Sequence, residues 1–220
     1  FYCGSAPEKR VAGLFTRAFA ALPRQGKQIE PAPTVRREAP AEPRVITEEM
    51  DVAQGKLGVG FRTMSDDGAA TMIMNSMFGG TSTSKLFLNV REKLSLCYYA
   101  GSSYHRKKGL ITVSSGIETK NYQRALDEIM TQLEALRRGE WEDWELEGAR
   151  SSLRNALRSM EDSASALEDF TMGQMATGSD ETIPGLLSAV EAVTPERVRQ
   201  AAEQVRPDTI YFLKGKEAEE

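Results

Sequence analysis

The stretch from Gln54 to Thr63 sets Leu57, Val59 and Phe61 on one side of an extended chain and the small Gly58 and Gly60 on the other. An alternation of period two with apolar residues on a single side describes a strand buried on one face only. Such a strand needs sheet partners beside it and a layer of amphipathic elements over its apolar face. The rest of the sequence supplies both. Arg44 to Met50, Leu96 to Tyr104, Leu110 to Ile117 and Asp208 to Leu213 read as further strands, and Phe1 to Gly4 as the end of another. Gly109 marks a turn between the second and third of these, which makes them antiparallel neighbours.

The covering helices announce themselves by a different period. Val11, Leu14, Phe15, Ala18, Phe19 and Leu22 recur at steps of three and four within Ala6 to Leu22, which Pro7 opens, so this helix is expected to pack on another surface. Asp66 and Asp67 open a second helix through Phe78, with Met72, Ile73, Met74 and Met77 as adaptable core filling. Tyr122, Leu126, Ile129, Met130, Leu133 and Leu136 mark a long helix that stops at Gly139. Another is expected from about Glu142 to Thr171, with Ala149, Leu153, Leu157, Met160, Ala164 and Leu167 inward and Trp141 and Trp144 anchoring its start. Thr194-Pro195-Glu196 begins a last helix that runs to about Val205. Between the first helix and the strands, residues 23–43 hold Pro31, Pro33, Pro40 and Pro43 among polar neighbours and read as an extended connection. The expectation is one α+β domain over 1–220, a mostly antiparallel sheet with helices packed on one face.

Composition removes several function classes. A formal charge of −4 without a long basic run argues against nucleic acid, and no apolar run reaches the roughly 20 residues of a membrane span. Cys3 and Cys97 are too few for a disulfide framework and read as buried small hydrophobes in a reducing, cytoplasmic interior. The single histidine, His105, lies in a turn with Arg106, Lys107 and Lys108, so it reads as a surface residue. A hydrolytic zinc centre needs about three protein ligands and an open position. This sequence has no H-x-x-E-H and no other set of that kind, hence no catalytic residue and no metal ligand is assigned. Arg150, Arg154 and Arg158 form a stripe at four-residue spacing that reads as a solvated face beside Glu147 and Glu161.

The stretch richest in chemistry is Gly79 to Tyr104, GGTSTSKLFLNVREKLSLCYYAGSSY. Gly79 and Gly80 close the preceding helix, where glycine takes positive φ without strain, or allow close packing; Ser82 to Ser84 offer capping hydroxyls. Leu86, Phe87, Val90 and Leu94 then give the next helix an apolar side with Arg91 at its edge, and Tyr98 follows seven residues later at a strand start. Taken alone, Arg91 is a surface residue beside an acidic neighbour and Tyr98 a half-buried strand tyrosine. Taken together, a guanidinium and a phenol across a helix-to-strand bend can donate hydrogen bonds to a peptide carbonyl.

That run resembles the second homologous domain of the pitrilysin, insulinase and mitochondrial-processing-peptidase family, the inverzincin metallopeptidases, with a pattern close to GG-x-x-S-[KR]-L-F-x-x-[IV]-R-E-K-x-G-L-x-Y. Gly79, Gly80, Ser84, Lys85, Leu86, Phe87, Val90, Arg91, Glu92, Lys93, Leu96 and Tyr98 match, while Ser95 stands where the family carries glycine. The resemblance implies the same α+β fold. It also implies that Arg91 and Tyr98 contact substrate, and that zinc sits in a homologous partner half, in the same chain or another, facing this one across a closed chamber for unfolded peptides. The start at Phe1, in what reads as mid-strand, fits the C-terminal half of a longer protein. A non-catalytic relative that serves as an assembly scaffold or peptide-binding subunit is the alternative, and a homodimer of isolated copies stays open.

Overall fold

A computed structural model describes residues 1–23, 26 and 35–215. Five strands form one sheet: β1 (Arg44–Met50), β2 (Gly55–Thr63), β3 (Cys97–His105), β4 (Leu110–Ile117) and β5 (Val205–Gly215). Their spatial order is β1-β5-β2-β4-β3, so β3 forms one edge. β2 runs antiparallel to both β4 and β5, β3 runs antiparallel to β4, and only the β1–β5 pair is parallel. This is the mixed α+β architecture with a mostly antiparallel sheet that the strand patterns describe.

The alternation in β2 is complete. Leu57, Val59 and Phe61 are buried under helices, whereas Lys56, Gly58, Gly60 and Arg62 line the opposite, half-open face. Ile111 and Val113 of β4 and Ile210 and Phe212 of β5 extend the buried side. β5 begins before its sequence signal: Pro207, which cannot donate to a ladder, is tolerated opposite Phe61 beside the register shift between Gly60 and Phe61.

The helices are α1 (Glu8–Ala20), α2 (Gly68–Asn75), α3 (Tyr122–Arg138), α4 (Asp143–Glu161), α5 (Ala164–Thr177), α6 (Ile183–Glu191) and α7 (Pro195–Glu203). Asp67 caps α2 through a hydrogen bond accepted from the Ala70 amide and receives two more from Arg197. Ile73, Met74 and Phe78 fill the centre of the core, with Phe78 edge-on to Phe61 at 6.1 Å. Gly139 ends α3 in the left-handed conformation.

Several expectations change. The helix expected through Thr171 breaks at Asp162, where the Ser163 hydroxyl accepts from the Ala166 amide and starts α5. Helix α6 starts much as α7 does, from a capping threonine, Thr182, with a proline in the first turn, Pro184, a signal present in the sequence and not read from it. Trp144 is exposed, leaving Trp141 as the tryptophan that packs on the core. Phe1 to Cys3 form no strand, and Cys3 is exposed, not buried. No residue of α1 is buried, so the packing surface expected for it is not found among the described residues. In the proline-rich connection, 35–43 form neither helix nor strand, and Pro31 and Pro33 lie outside the described residues.

Candidate functional site

The site is built where the helical layer meets the edge strand. After α2 the chain widens into a π-helical turn, Ser76–Gly80, and a second π-helical segment, Leu86–Lys93, forms the corner helix. Gly79 and Gly80 do not take positive φ, contrary to the reading as a left-handed helix stop. Gly79 instead permits close approach: a Cβ there would lie 2.7 Å from the Ser102 amide nitrogen and 2.9 Å from Leu86 Cδ1. At Gly80 an added Cβ would lie 3.1 Å from the Asn75 carbonyl oxygen. Gly79 thus lets the turn press against β3 and the corner helix, and Gly80 lets it fold back on the end of α2.

Leu86 and Val90 bury one side of the corner helix, and the Ser84 hydroxyl accepts from the Phe87 amide. The i to i−5 hydrogen bond from the Leu94 amide to the Asn89 carbonyl widens the winding. Leu94 consequently swings outward and is exposed, although ordinary α spacing places it inward. Lys85 anchors the segment from below through an ion pair with Glu145 of α4 at 3.0 Å, both side chains being about nine-tenths buried.

Ser95 makes the turn into β3. Its φ of 50° is the one positive value among the described non-glycine residues. A side chain in that region carries strain that glycine does not, which gives the departure from glycine at this position a physical cost.

Across this turn Arg91 and Tyr98 meet. Arg91 Nε donates to the Tyr98 carbonyl oxygen at 2.9 Å, its Nη1 donates to Glu92 Oε1 at 2.8 Å, and the guanidinium lies over the Phe87 ring at 4.7 Å. Two of the five guanidinium N–H donors are engaged in this way, so Nη2 and the second Nη1 hydrogen remain to bind a ligand. The Tyr98 side chain is exposed on the edge strand, at 58% of its maximal area. A register shift between Cys97 and Tyr99 leaves both Tyr98 and Tyr99 turned to solvent, where strict alternation would bury one of them. Sequence reasoning did not anticipate that bulge.

Beside Tyr98 lies a recess of about 230 Å³ lined by Ser95, Leu96, Cys97, Glu118 and Asn121. Glu118 and Asn121 come from the far end of β4 and were not singled out in the sequence, because only the sheet register brings them alongside Tyr98. Glu118 pairs with Lys120 at 2.8 Å. Burial raises the Cys97 thiol, outweighing the opposing Ser115 hydroxyl and Arg91 charge, so the thiol stays protonated at neutral pH and is a poor nucleophile. The arrangement offers hydrogen-bond donors and a shaped surface.

The other candidates separate cleanly. His105 is exposed at the end of β3. Among the described residues no group of three His, Cys, Asp or Glu side chains is placed to hold a metal ion, and these residues do not fit a zinc centre. Arg150 pairs with Glu147 and donates to the Val193 carbonyl, while Arg154 pairs with Glu191, so these members of the arginine stripe tie helices together. No helix among the described residues is long and apolar enough to cross a membrane.

Comparison with known proteins bears on this geometry. Residues 1–153 match the family described as the peptidase M16 inactive domain. Over 180 residues the chain is 40% identical to "Probable inactive metalloprotease YmfF" of Bacillus subtilis, covering 80% of this chain and 42% of that protein. Among solved structures, a conserved protein from Enterococcus faecalis V583 superimposes with a TM-score of 0.84 at 30% identity, over 98% of this chain and 51% of that one. The peptidase M16 inactive domain from Pseudomonas fluorescens shares the fold, with a TM-score of 0.72 at 18% identity over 98% of this chain and 53% of that one. The chain therefore spans about half the length of these relatives, or less.

Proposed function

This chain belongs to the peptidase M16 inactive-domain family, and from that premise we propose that it is the substrate-holding, metal-free half of a two-half peptidase system. Residues 1–220 act as one unit, the C-terminal half, and a homologous zinc-bearing half faces it across a closed chamber in the cytoplasm. An unfolded peptide lies along the corner, where Arg91 and Tyr98 donate hydrogen bonds to one of its carbonyl oxygens.

The observation that carries the reading is the hydrogen bond from Arg91 Nε to the Tyr98 carbonyl, which holds a charged donor against the backbone of an edge-strand residue whose side chain is exposed. Zinc supplies the Lewis acidity for peptide hydrolysis when it is bound in the other half. The residues of this chain contribute prepositioned charge. As negative charge grows on the carbonyl oxygen, each fixed donor lowers the barrier by up to about 3 to 4 kcal/mol. The Arg91 guanidinium has donors and no acceptor, and the Tyr98 hydroxyl can donate one more hydrogen bond.

A second reading rests on the 40% identical relative, whose printed name marks it as an inactive metalloprotease. On that reading the chain is an assembly scaffold or a peptide-binding subunit of a protein that does not cut. Fluorescence anisotropy of a labelled, unstructured peptide added to this chain alone separates a peptide-holding chain, in a system that cuts or one that does not, from an assembly scaffold. Saturable binding weakened by Arg91→Ala supports a peptide-holding corner. Absence of binding at millimolar concentration favours the scaffold.

A further inference from the structure

A second cavity, of about 380 Å³, lies within the helical layer, away from the corner. Its body is apolar: Met72 of α2, Leu153, Leu157 and Met160 of α4, Phe170 of α5 and Leu186 of α6. That volume falls in the range of small-molecule sites, about 300–1,000 Å³. One wall is α5, none of whose residues is buried, so the cavity is closed by a helix held less firmly than its neighbours.

The charged groups lining the cavity are Arg106, Lys107 and Asp169. Arg106 is already neutralised by a two-point ion pair with Glu181. Asp169 lies on the cavity side of α5 with Phe170 and Gly173, but it is exposed to water and forms no ion pair with Lys107. Lys107 differs from both. It is half-buried, no carboxylate among the described residues lies within ion-pairing distance of it, and its Nζ reaches only Gln174 Oε1 at 3.5 Å. Tyr104 also lines the cavity, but its hydroxyl is closed to solvent and makes no hydrogen bond of good geometry, so it serves as wall. Lys107 thus has no direct ion pair, although the nearby Glu181 carboxylate feels its charge, and an ammonium so placed beside an apolar cavity with methionine walls is complementary to an anion that carries a hydrocarbon body.

We propose that this cavity binds a carboxylate with an apolar tail, the tail between α4, α5 and α6 and the carboxylate on Lys107 Nζ. Two sources share that chemistry, a free fatty acid and a peptide C-terminus with an apolar last residue. The site is separate from the Arg91–Tyr98 corner and does not depend on its role.

Isothermal titration of the chain with decanoate, decanol and acetate tests the assignment, alongside an acetylated tripeptide ending in leucine and the same tripeptide with an amidated C-terminus. The expected result is saturable binding of decanoate or of the free-acid tripeptide, with whichever binds tighter identifying the source. Decanol, acetate and the amide should bind at least about tenfold more weakly, as should the preferred ligand to Lys107→Gln, for loss of one charge-assisted contact. Leu157→Gln should weaken binding through the tail; should it fail to fold, Lys107→Gln, a half-exposed position, still decides. Equal binding to the wild type and Lys107→Gln, decanol binding as well as decanoate, or no binding of either acid would overturn the proposal.

Discussion

Helices α1 and α3 have nearly the same design and opposite surroundings. Each carries an apolar stripe at steps of three and four on an otherwise polar cylinder. In α3 the stripe is covered, with Ile129, Leu133 and Leu136 at 1% exposure or less. In α1 the stripe is bare, with Leu14 at 50% and Phe19 at 52%. Periodicity therefore states which face of a helix seeks cover, and it does not state what provides it. For α3 the cover is the sheet and its neighbouring helices. For α1 it is not among the described residues, in a chain that spans 42% of a 40% identical relative.

The hardest test of this contrast is a matched pair of truncations. Leu133→Ala should cost about 4 kcal/mol, as a filled core site becomes a cavity, and Leu14→Ala should stay within about 0.5 kcal/mol, both read from urea unfolding. Equal losses would mean that α1 is packed in solution. Next in size is Lys85→Ala, which strands the buried Glu145 carboxylate and should destabilise the domain by about 3 kcal/mol. A change below about 1 kcal/mol would show that the corner helix is seated as loosely as α1.

Acid titration reaches a third layer, the capped start of α2. Burial alone would raise the Asp67 carboxyl, but the hydrogen bonds from Arg197 and the Ala70 amide, together with the Arg197 charge, prevail and lower it. A group whose folded value is depressed contributes stability above its unfolded value, and that contribution disappears as pH falls through the folded value. The wild type should therefore lose more stability than Asp67→Asn on descending below about pH 4. Parallel pH curves would remove the cap from the account. The smallest effect is a gain. Ser95→Gly should stabilise the chain by about 0.5 to 1 kcal/mol, because glycine accepts the positive φ of the turn without strain; a loss would show that the serine hydroxyl matters more than the backbone.

Much of the fold was legible because it rests on local patterns. The alternation in β2, the glycine stop of α3 and the Thr194-Pro195 start of α7 each express a rule confined to a few residues. What escaped depended on competition between signals or on tertiary register. The apolar period continues across Asp162, so the break before α5 hid behind it, although Ser163 supplied a cap. The π-helical winding that turns Leu94 outward breaks the α period on which the reading relied. At the site, Arg91 and Tyr98 were legible as a pair by motif. The bulge that exposes Tyr98 and Tyr99 together, and the Glu118 and Asn121 recess, follow from how β3 is paired with β4 and have no local signature.

The central claim, that the corner holds peptide by two donors, is tested most directly by hydrolysis of an unstructured peptide by this chain mixed with a zinc-bearing homologous half. Arg91→Ala should lower kcat by about 100-fold and Tyr98→Phe by less, with unfolding curves unchanged and Arg154→Ala, a helix-tethering control, at the wild-type rate. Wild-type rates in both Arg91→Ala and Tyr98→Phe, from a mixture that cleaves the peptide, would contradict it.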